Sequence, residues 1–109
     1  MKENDISLTE TISNPNLEKR EKTVLENGNS YEGYWRIGTE IREGHGTELF
    51  VDGSSYTGEY KENYRTGKGK LVLITGYEYE GYFKNDTYHG FGKMKYPDGR
   101  YYEGQFSLG

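Results

Sequence analysis

The residues of this chain that could do chemistry are pairs of glycines, two histidines and a recurring glutamate. The pattern Gly-x-Gly occurs at 44–46, 67–69 and 90–92. Glycine-rich loops bind phosphate groups when a strand leads into them and a helix follows. No helical pattern follows any of these three, so we interpret their glycines as structural and not as a nucleotide site.

Catalysis and metal binding have few other candidates. The chain has no cysteine; His45 stands between its two glycines, whereas His89 precedes its pair. A metal site or a nucleophile–base pair therefore has little to be built from. Glutamates recur at Glu32, Glu80 and Glu103, but each has a predicted lysine partner, which argues against a pair of acid–base carboxylates. The sequence predicts a protein that is not an enzyme and has no cofactor or metal.

A repeat positions these residues. The motif Tyr-x-Gly-x-aromatic or a close variant begins at Tyr31, Tyr56, Tyr79 and Tyr102, at spacings of 25, 23 and 23 residues. A fixed period of this length indicates a repeat architecture. We predict a flexible polar N-terminal tail followed by a repeat array, divided into tail 1–21, half repeat 22–30, repeats 31–55, 56–78 and 79–101, and half repeat 102–109.

The composition favours a thin sheet. Apolar residues make up 31% of the chain, against about 45–50% in ordinary globular domains. Aromatic residues nevertheless reach 16%, and there are 16 glycines, which suits a quasi-one-dimensional array whose modules contact only their neighbours. No apolar run could span a membrane or serve as a signal core. We expect a cytoplasmic protein, and its net charge of −4 disfavours nucleic acid as a partner.

Alternation along each motif predicts strands with one aromatic face. Tyr31, Gly33 and Trp35 share a face because side chains alternate along a strand. The segment 97–99, Pro-Asp-Gly, is typical of a three-residue hairpin loop, and counting outward from it and its equivalents predicts the cross-strand pairs Lys93–Glu103, Lys70–Glu80, Thr47–Thr57 and Lys22–Glu32. Glycines in mid-strand are expected to leave room for large rings and to let the sheet bend: Gly33, Gly58, Gly81 and Gly104.

These residues resemble the MORN (membrane occupation and recognition nexus) repeat, and most closely the MORN arrays of unicellular eukaryotes. The resemblance covers residues 22–109 and lies in Tyr-x-Gly-x-aromatic, then Gly-x-Gly, then Asp-Gly-x-x-Tyr. The chain departs from the pattern by two extra residues after Trp35, by Glu48 at an apolar position, and by Thr75 in place of Asp or Asn.

The resemblance implies a fold and a set of functions. The fold class is all-β, a single-layer antiparallel sheet of hairpin repeats that is elongated and curls into a trough. MORN proteins act as scaffolds and targeting modules in ciliary, cytoskeletal and membrane-junction assemblies. Their arrays have been credited with binding acidic phospholipids or partner peptides, and with self-association.

Protein binding is the first functional hypothesis. Aromatic side chains lining a trough are typical anchors for a partner, although the same rings could simply stack on one another as a single-layer sheet requires. The predicted partner-binding residues are Tyr31, Trp35, Phe50, Tyr56, Tyr60, Tyr79, Phe83, Tyr96 and Tyr102.

Attachment to anionic phospholipid is the alternative hypothesis, because lysine and arginine near such a surface each contribute about 1 kcal/mol. Against it, two of the lysines already have predicted glutamate partners. The candidate residues are Arg65, Lys68, Lys70, Lys84, Lys93 and Lys95. Self-association is a third prospect, since the strand at 22–25 and the strand ending at Phe106 are predicted to be uncovered sheet edges.

Overall fold

A computed structural model describes residue 11 and residues 13–107, and shows a single sheet of eight strands. The strands are β1 (Leu17–Val24), β2 (Ser30–Arg36), β3 (Arg42–Leu49), β4 (Ser55–Lys61), β5 (Tyr64–Val72), β6 (Glu78–Lys84), β7 (Thr87–Lys95) and β8 (Tyr101–Phe106). Each strand pairs antiparallel with the next, in the order β1 to β8. The predicted all-β fold, a single-layer antiparallel array of hairpins, is confirmed.

Two expectations about the outline of the array are wrong. The first strand begins at Leu17, five residues before the predicted boundary, because residues 17–20 already pair with β2; Thr11 is also fully buried. The sheet is open and uncurled, so the chain does not form the expected trough. The rest of the predicted tail (1–10 and 12) and positions 108–109 of the last half repeat lie outside the described residues.

The predicted register is confirmed at three of its four pairs. The pairs Lys93–Glu103, Lys70–Glu80 and Thr47–Thr57 are direct partners across their strands. The fourth prediction, Lys22–Glu32, is wrong because a bulge between Arg20 and Thr23 removes Lys22 from the ladder.

A continuous row of glycines crosses the sheet from β2 to β8. Its members are direct cross-strand partners, namely Gly33, Gly46, Gly58, Gly69, Gly81, Gly92 and Gly104. A Cβ added to Gly33 would lie 2.5 Å from Cα of Gly46, and one added to Gly69 would lie 2.5 Å from Cε1 of Tyr56. The row therefore exists because the strands and the tyrosine rings leave no space for a side chain.

The leading tyrosine of each motif lies down over this glycine row. Its hydroxyl donates a hydrogen bond to the carbonyl oxygen three residues later: Tyr31 to Tyr34 at 2.8 Å, Tyr56 to Glu59 at 2.9 Å, Tyr79 to Tyr82 at 2.8 Å and Tyr102 to Gln105 at 3.1 Å. In the first three motifs the acceptor is the residue that the ladder to the next strand skips. The tyrosine thus supplies a donor where the bulge interrupts strand pairing.

The rings on this face form one unbroken zigzag. Successive rings meet edge to face, with centroids 5.0–5.3 Å apart, in the order Trp35, Tyr31, Tyr60, Tyr56, Phe83, Tyr79, Phe106 and Tyr102. Such pairs contribute about 0.5–1.5 kcal/mol each beyond the area that they bury. A single-layer sheet with little aliphatic content thereby obtains a core.

The turns between repeats also pack against one another. Backbone N–H groups of Val51 and Ile74 donate to the side-chain oxygens of Asn29 and Ser54 in the preceding turn, at 3.0 and 2.8 Å. The corresponding residue of the last turn is Pro97, which has no N–H to donate. Tyr77 is the residue equivalent to Asn29 and Ser54 in the turn that precedes Pro97. Its ring packs edge to face against the ring of Tyr96, with the two centroids 5.8 Å apart.

We predict that Gly69→Ala destabilises the fold although Gly69 has no left-handed backbone. The added methyl group must displace the buried Tyr56 ring, and overpacking of this kind costs about 1–3 kcal/mol. Urea unfolding followed by far-UV circular dichroism measures the change. The neighbouring exposed Lys68→Ala is the control; equal midpoints for the two variants would contradict the packing role of the glycine row.

Candidate partner-binding surface

The aromatic face is the core of the protein. Six of the nine rings predicted to bind a partner are 3% exposed or less, namely Tyr31, Trp35, Tyr56, Tyr60, Tyr79 and Phe83. They pack on the glycine row and on one another, which corrects the expectation that they are presented to a partner. Of the remaining three, Phe50 and Tyr96 are half-buried and Tyr102 is 46% exposed.

Burial has a chemical consequence for the phenols of this face. Loss of solvation raises the pKa of Tyr31, Tyr56 and Tyr60 far above the usual value for tyrosine, and raises the pKa of Tyr79 and Tyr88 as well. These hydroxyl groups therefore stay protonated and remain hydrogen-bond donors. They serve the fold and offer no nucleophile or base.

The polar residue that interrupts the aromatic face, Glu48, holds a buried network. Its carboxylate accepts hydrogen bonds from Arg42 at 2.8 Å, from the Tyr60 hydroxyl at 2.8 Å and from the Asn29 amide at 2.7 Å. The side chains of Glu48 and Arg42 are 7% and 18% exposed. The sequence marks Glu48 as an exception on this face but does not indicate Arg42 as its partner, because the two extra residues after Trp35 leave open where Arg42 falls against β2.

Arg65, one of the predicted lipid-binding residues, lies on this same face. Its guanidinium donates to Asp86 at 3.0 Å, and its Cζ is 5.7 and 5.8 Å from the ring centroids of Tyr56 and Phe83. It is thus bound to a carboxylate and to rings of the core. This corrects its assignment to a membrane-facing set.

A hollow of about 570 Å³ opens at the N-terminal end of the aromatic face. Trp35 lines it, together with Leu25, Glu40, Arg42 and Asn63. The indole is only 2% exposed and lies under the Arg20 guanidinium, 4.8 Å away. The indole is therefore covered, and the hollow does not present the predicted aromatic anchor.

The opposite face, here called the outer face, carries the five predicted lysines. Alternation along the strands places them there between glutamates: Lys68, Lys70, Lys84, Lys93 and Lys95, with Glu78, Glu80 and Glu103. The Lys70 ammonium lies 4.0 Å from the Glu78 carboxylate, and Glu80 has Lys70 and Lys93 as partners on its two sides. The lysines share a face, but it is a face of mixed charge.

An open groove crosses the outer face of β5–β8. Its floor is the glycine pair Gly81–Gly92, and its two walls are formed by side chains on either side of that pair, namely Lys68, Tyr82 and Phe91 on one wall and Glu80, Lys93 and Glu103 on the other. We call it the Phe91 groove, because that ring is 53% exposed. Phe91 is the middle residue of the Gly-x-Gly motif at 90–92, and its large apolar side chain was the sequence feature that could have indicated this surface.

The first repeat has a counterpart of this groove with different chemistry. Its floor is the pair Gly33–Gly46, and Tyr34 and His45 stand where Tyr82 and Phe91 stand in the Phe91 groove. The His45 ring lies 2.9 Å from the Glu59 carboxylate, whose side chain is 6% exposed. A polar pair thus replaces the exposed ring, so the repeats differ in what they present.

The described residues contain no group of three or more His, Asp or Glu side chains placed to hold a metal ion. Within the same part of the chain, no helix has the length and apolar character required to cross a bilayer.

The fold and its repeating glycine–tyrosine geometry define a protein built from β-hairpin repeats. A family model for the MORN repeat matches residues 41–55, 56–76 and 79–99, and each range falls within one of the predicted repeats. The chain belongs to the MORN repeat proteins. A search of curated proteins returns no match. MORN repeats are generally non-enzymatic scaffold modules involved in protein or membrane interactions.

We predict that Glu48→Ala destabilises the chain by about 3–5 kcal/mol, because it leaves the Arg42 guanidinium buried without its carboxylate. The double variant Arg42→Leu with Glu48→Leu is expected to recover most of this loss, since Leu71 occupies the equivalent position in the next repeat. Urea denaturation of the single and double variants measures both effects. If the double variant were less stable than Glu48→Ala, the unpaired charge would not be the cause.

Proposed function

We propose that this protein is a non-enzymatic scaffold that binds a protein partner through the Phe91 groove on its outer face. The observation that carries this proposal is the half-exposed Phe91 ring beside Tyr82, above a floor of backbone alone. Aromatic anchors surrounded by charged residues are typical of the centre and rim of protein interfaces.

The partner-binding surface is placed on the outer face because the aromatic face already forms the core of the protein. The rings of the aromatic face are already buried against the glycine row, so binding there would require the core to open. The outer face offers an apolar ring without that cost. A scaffold of this kind would act in the cytoplasm, at a cytoskeletal, ciliary or membrane-associated assembly, as the family resemblance implies. Self-association through the edges β1 and β8 remains part of the proposal.

Site-specific photocrosslinking tests the protein-binding proposal. The chain carries benzoylphenylalanine in place of Phe91, or in place of Leu49 as a control that is 47% exposed on the same face. We expect a defined protein adduct from position 91, competed by unmodified chain but not by the Phe91→Ala chain. Identical adducts from both positions, or none from position 91, would refute the proposed surface.

Binding to anionic phospholipid is a second candidate, favoured by one observation: five of the six predicted basic residues share the outer face with Phe91. Co-sedimentation with phosphatidylserine vesicles at low salt tests it. Replacing Lys70, Lys93 and Lys95 by Gln should weaken binding by about fivefold per lysine, as about 1 kcal/mol each implies. Equal binding to phosphatidylcholine vesicles, or no effect of salt, would exclude this function.

A further inference from the structure

The first glycine of each Gly-x-Gly lies in the bulge and opens a small notch. Gly44, Gly67 and Gly90 are equivalent and have left-handed φ values of 93°, 89° and 77°. At Gly44 the chain fills its own notch: an added Cβ would meet Cγ2 of Thr11 and Cδ1 of Leu17, each at 2.9 Å. Gly44 is accordingly buried.

The other two notches are not filled in this way, and they differ in chemistry. Beside Gly67 the neighbouring side chain is that of Glu59, at 3.4 Å, and its carboxylate is engaged by His45. At Gly90 the one described atom within 4 Å of an added Cβ is Cβ of Tyr82, at 3.6 Å. Gly90 directly precedes Phe91 in the chain, and Tyr82 borders both the Gly90 notch and the Phe91 groove.

The segment that fills the Gly44 notch shows what such a position accepts. Thr11 is completely buried there, and the segment turns immediately afterwards, with the Asn14 N–H donating to the Thr11 carbonyl at 3.3 Å and the Leu17 N–H to the Asn14 carbonyl at 3.2 Å. The γ-methyl group of Thr11 and a δ-methyl group of Leu17, the first residue of β1, together cover Gly44. The occupant is polypeptide, and its two nearest atoms are methyl carbons, with the Thr11 hydroxyl oxygen farther off at 3.3 Å.

We propose that the Gly90 notch receives a β-branched side chain, threonine or valine, from a turn of the partner protein bound in the Phe91 groove, as Gly44 receives Thr11. This inference rests on the proposed function and specifies the partner's chemistry. The notch has room for a methyl group, whereas the acyl chain of a lipid would need a larger apolar surface. Alternating carboxylates and ammonium groups along the groove suit a peptide of mixed polarity better than a uniformly anionic surface.

A peptide with the sequence of residues 11–17 is the probe, titrated into the ¹⁵N-labelled full chain. We expect saturable amide shifts at Gly90, Phe91 and Tyr82. A peptide with Val in place of Thr11 should bind at least as well, and one with Ser about fourfold more weakly, because it lacks one methyl group. The Phe91→Ala chain should bind about tenfold more weakly, while Leu49→Ala leaves the affinity unchanged.

Three results would overturn the inference. The first is no shift at Gly90 with any of the peptides. The second is equal affinity for the Thr, Val and Ser peptides, and the third is shifts confined to Gly44, which would mean that the peptide merely displaces the chain's own segment. Failure here is distinguishable from failure of the proposed function: a protein adduct at position 91 without peptide binding would retain the Phe91 groove and remove the branched side chain as its ligand.

Discussion

The whole structure depends on one packing constraint, the contact between a tyrosine ring and a glycine backbone. In the first three motifs the ring lies flat across a pair of facing glycines, and its hydroxyl satisfies a carbonyl oxygen that the bulge leaves outside the ladder. A sheet one layer thick has no second layer to bury its apolar face. Here the side chains themselves are that layer, and glycine is the residue that leaves them the space.

This constraint also decides where function can reside. The zigzag of rings fills the face on which a partner was first expected. Its tyrosine hydroxyls donate to backbone carbonyls or, for Tyr60, to the Glu48 carboxylate. What varies between repeats is instead found on the outer face, where the residue between the two glycines is histidine, lysine or phenylalanine. A scaffold that repeats its fold faithfully can thus change its surface from one module to the next.

Much of the fold could be predicted because turns and alternation are local. The Pro-Asp-Gly loop at 97–99 set the register, and it holds at Lys93–Glu103 and Lys70–Glu80. It fails at Lys22, because no local signal marks the bulge in β1. The early start of β1 at Leu17 was missed for a similar reason: that strand is polar, and pairing with β2, not its own pattern, holds it.

The candidate surface was harder to predict. Alternation in the sequence indicates which face of the sheet carries a ring, but not whether the ring lies flat on the sheet or points away from it. Tyr31 lying on glycine and a tyrosine standing toward a partner have the same alternation. The partner of Glu48 was hidden likewise, since the two extra residues after Trp35 leave open where Arg42 falls against β2, and only the folded sheet brings its guanidinium to Glu48. Long-range geometry decides both, and neither is encoded in a single motif.

The turn containing Pro97 has a consequence for how the modules hold together along their loop edge. In the two earlier steps a directional hydrogen bond ties each loop to its predecessor, so that sliding by a fraction of an ångström is resisted. At the last step that bond is replaced by the contact of Tyr77 with Tyr96, which tolerates small displacements. The final two loops are therefore held to each other by side-chain packing in place of a directional hydrogen bond, and they lie on the same hairpins as the Phe91 groove.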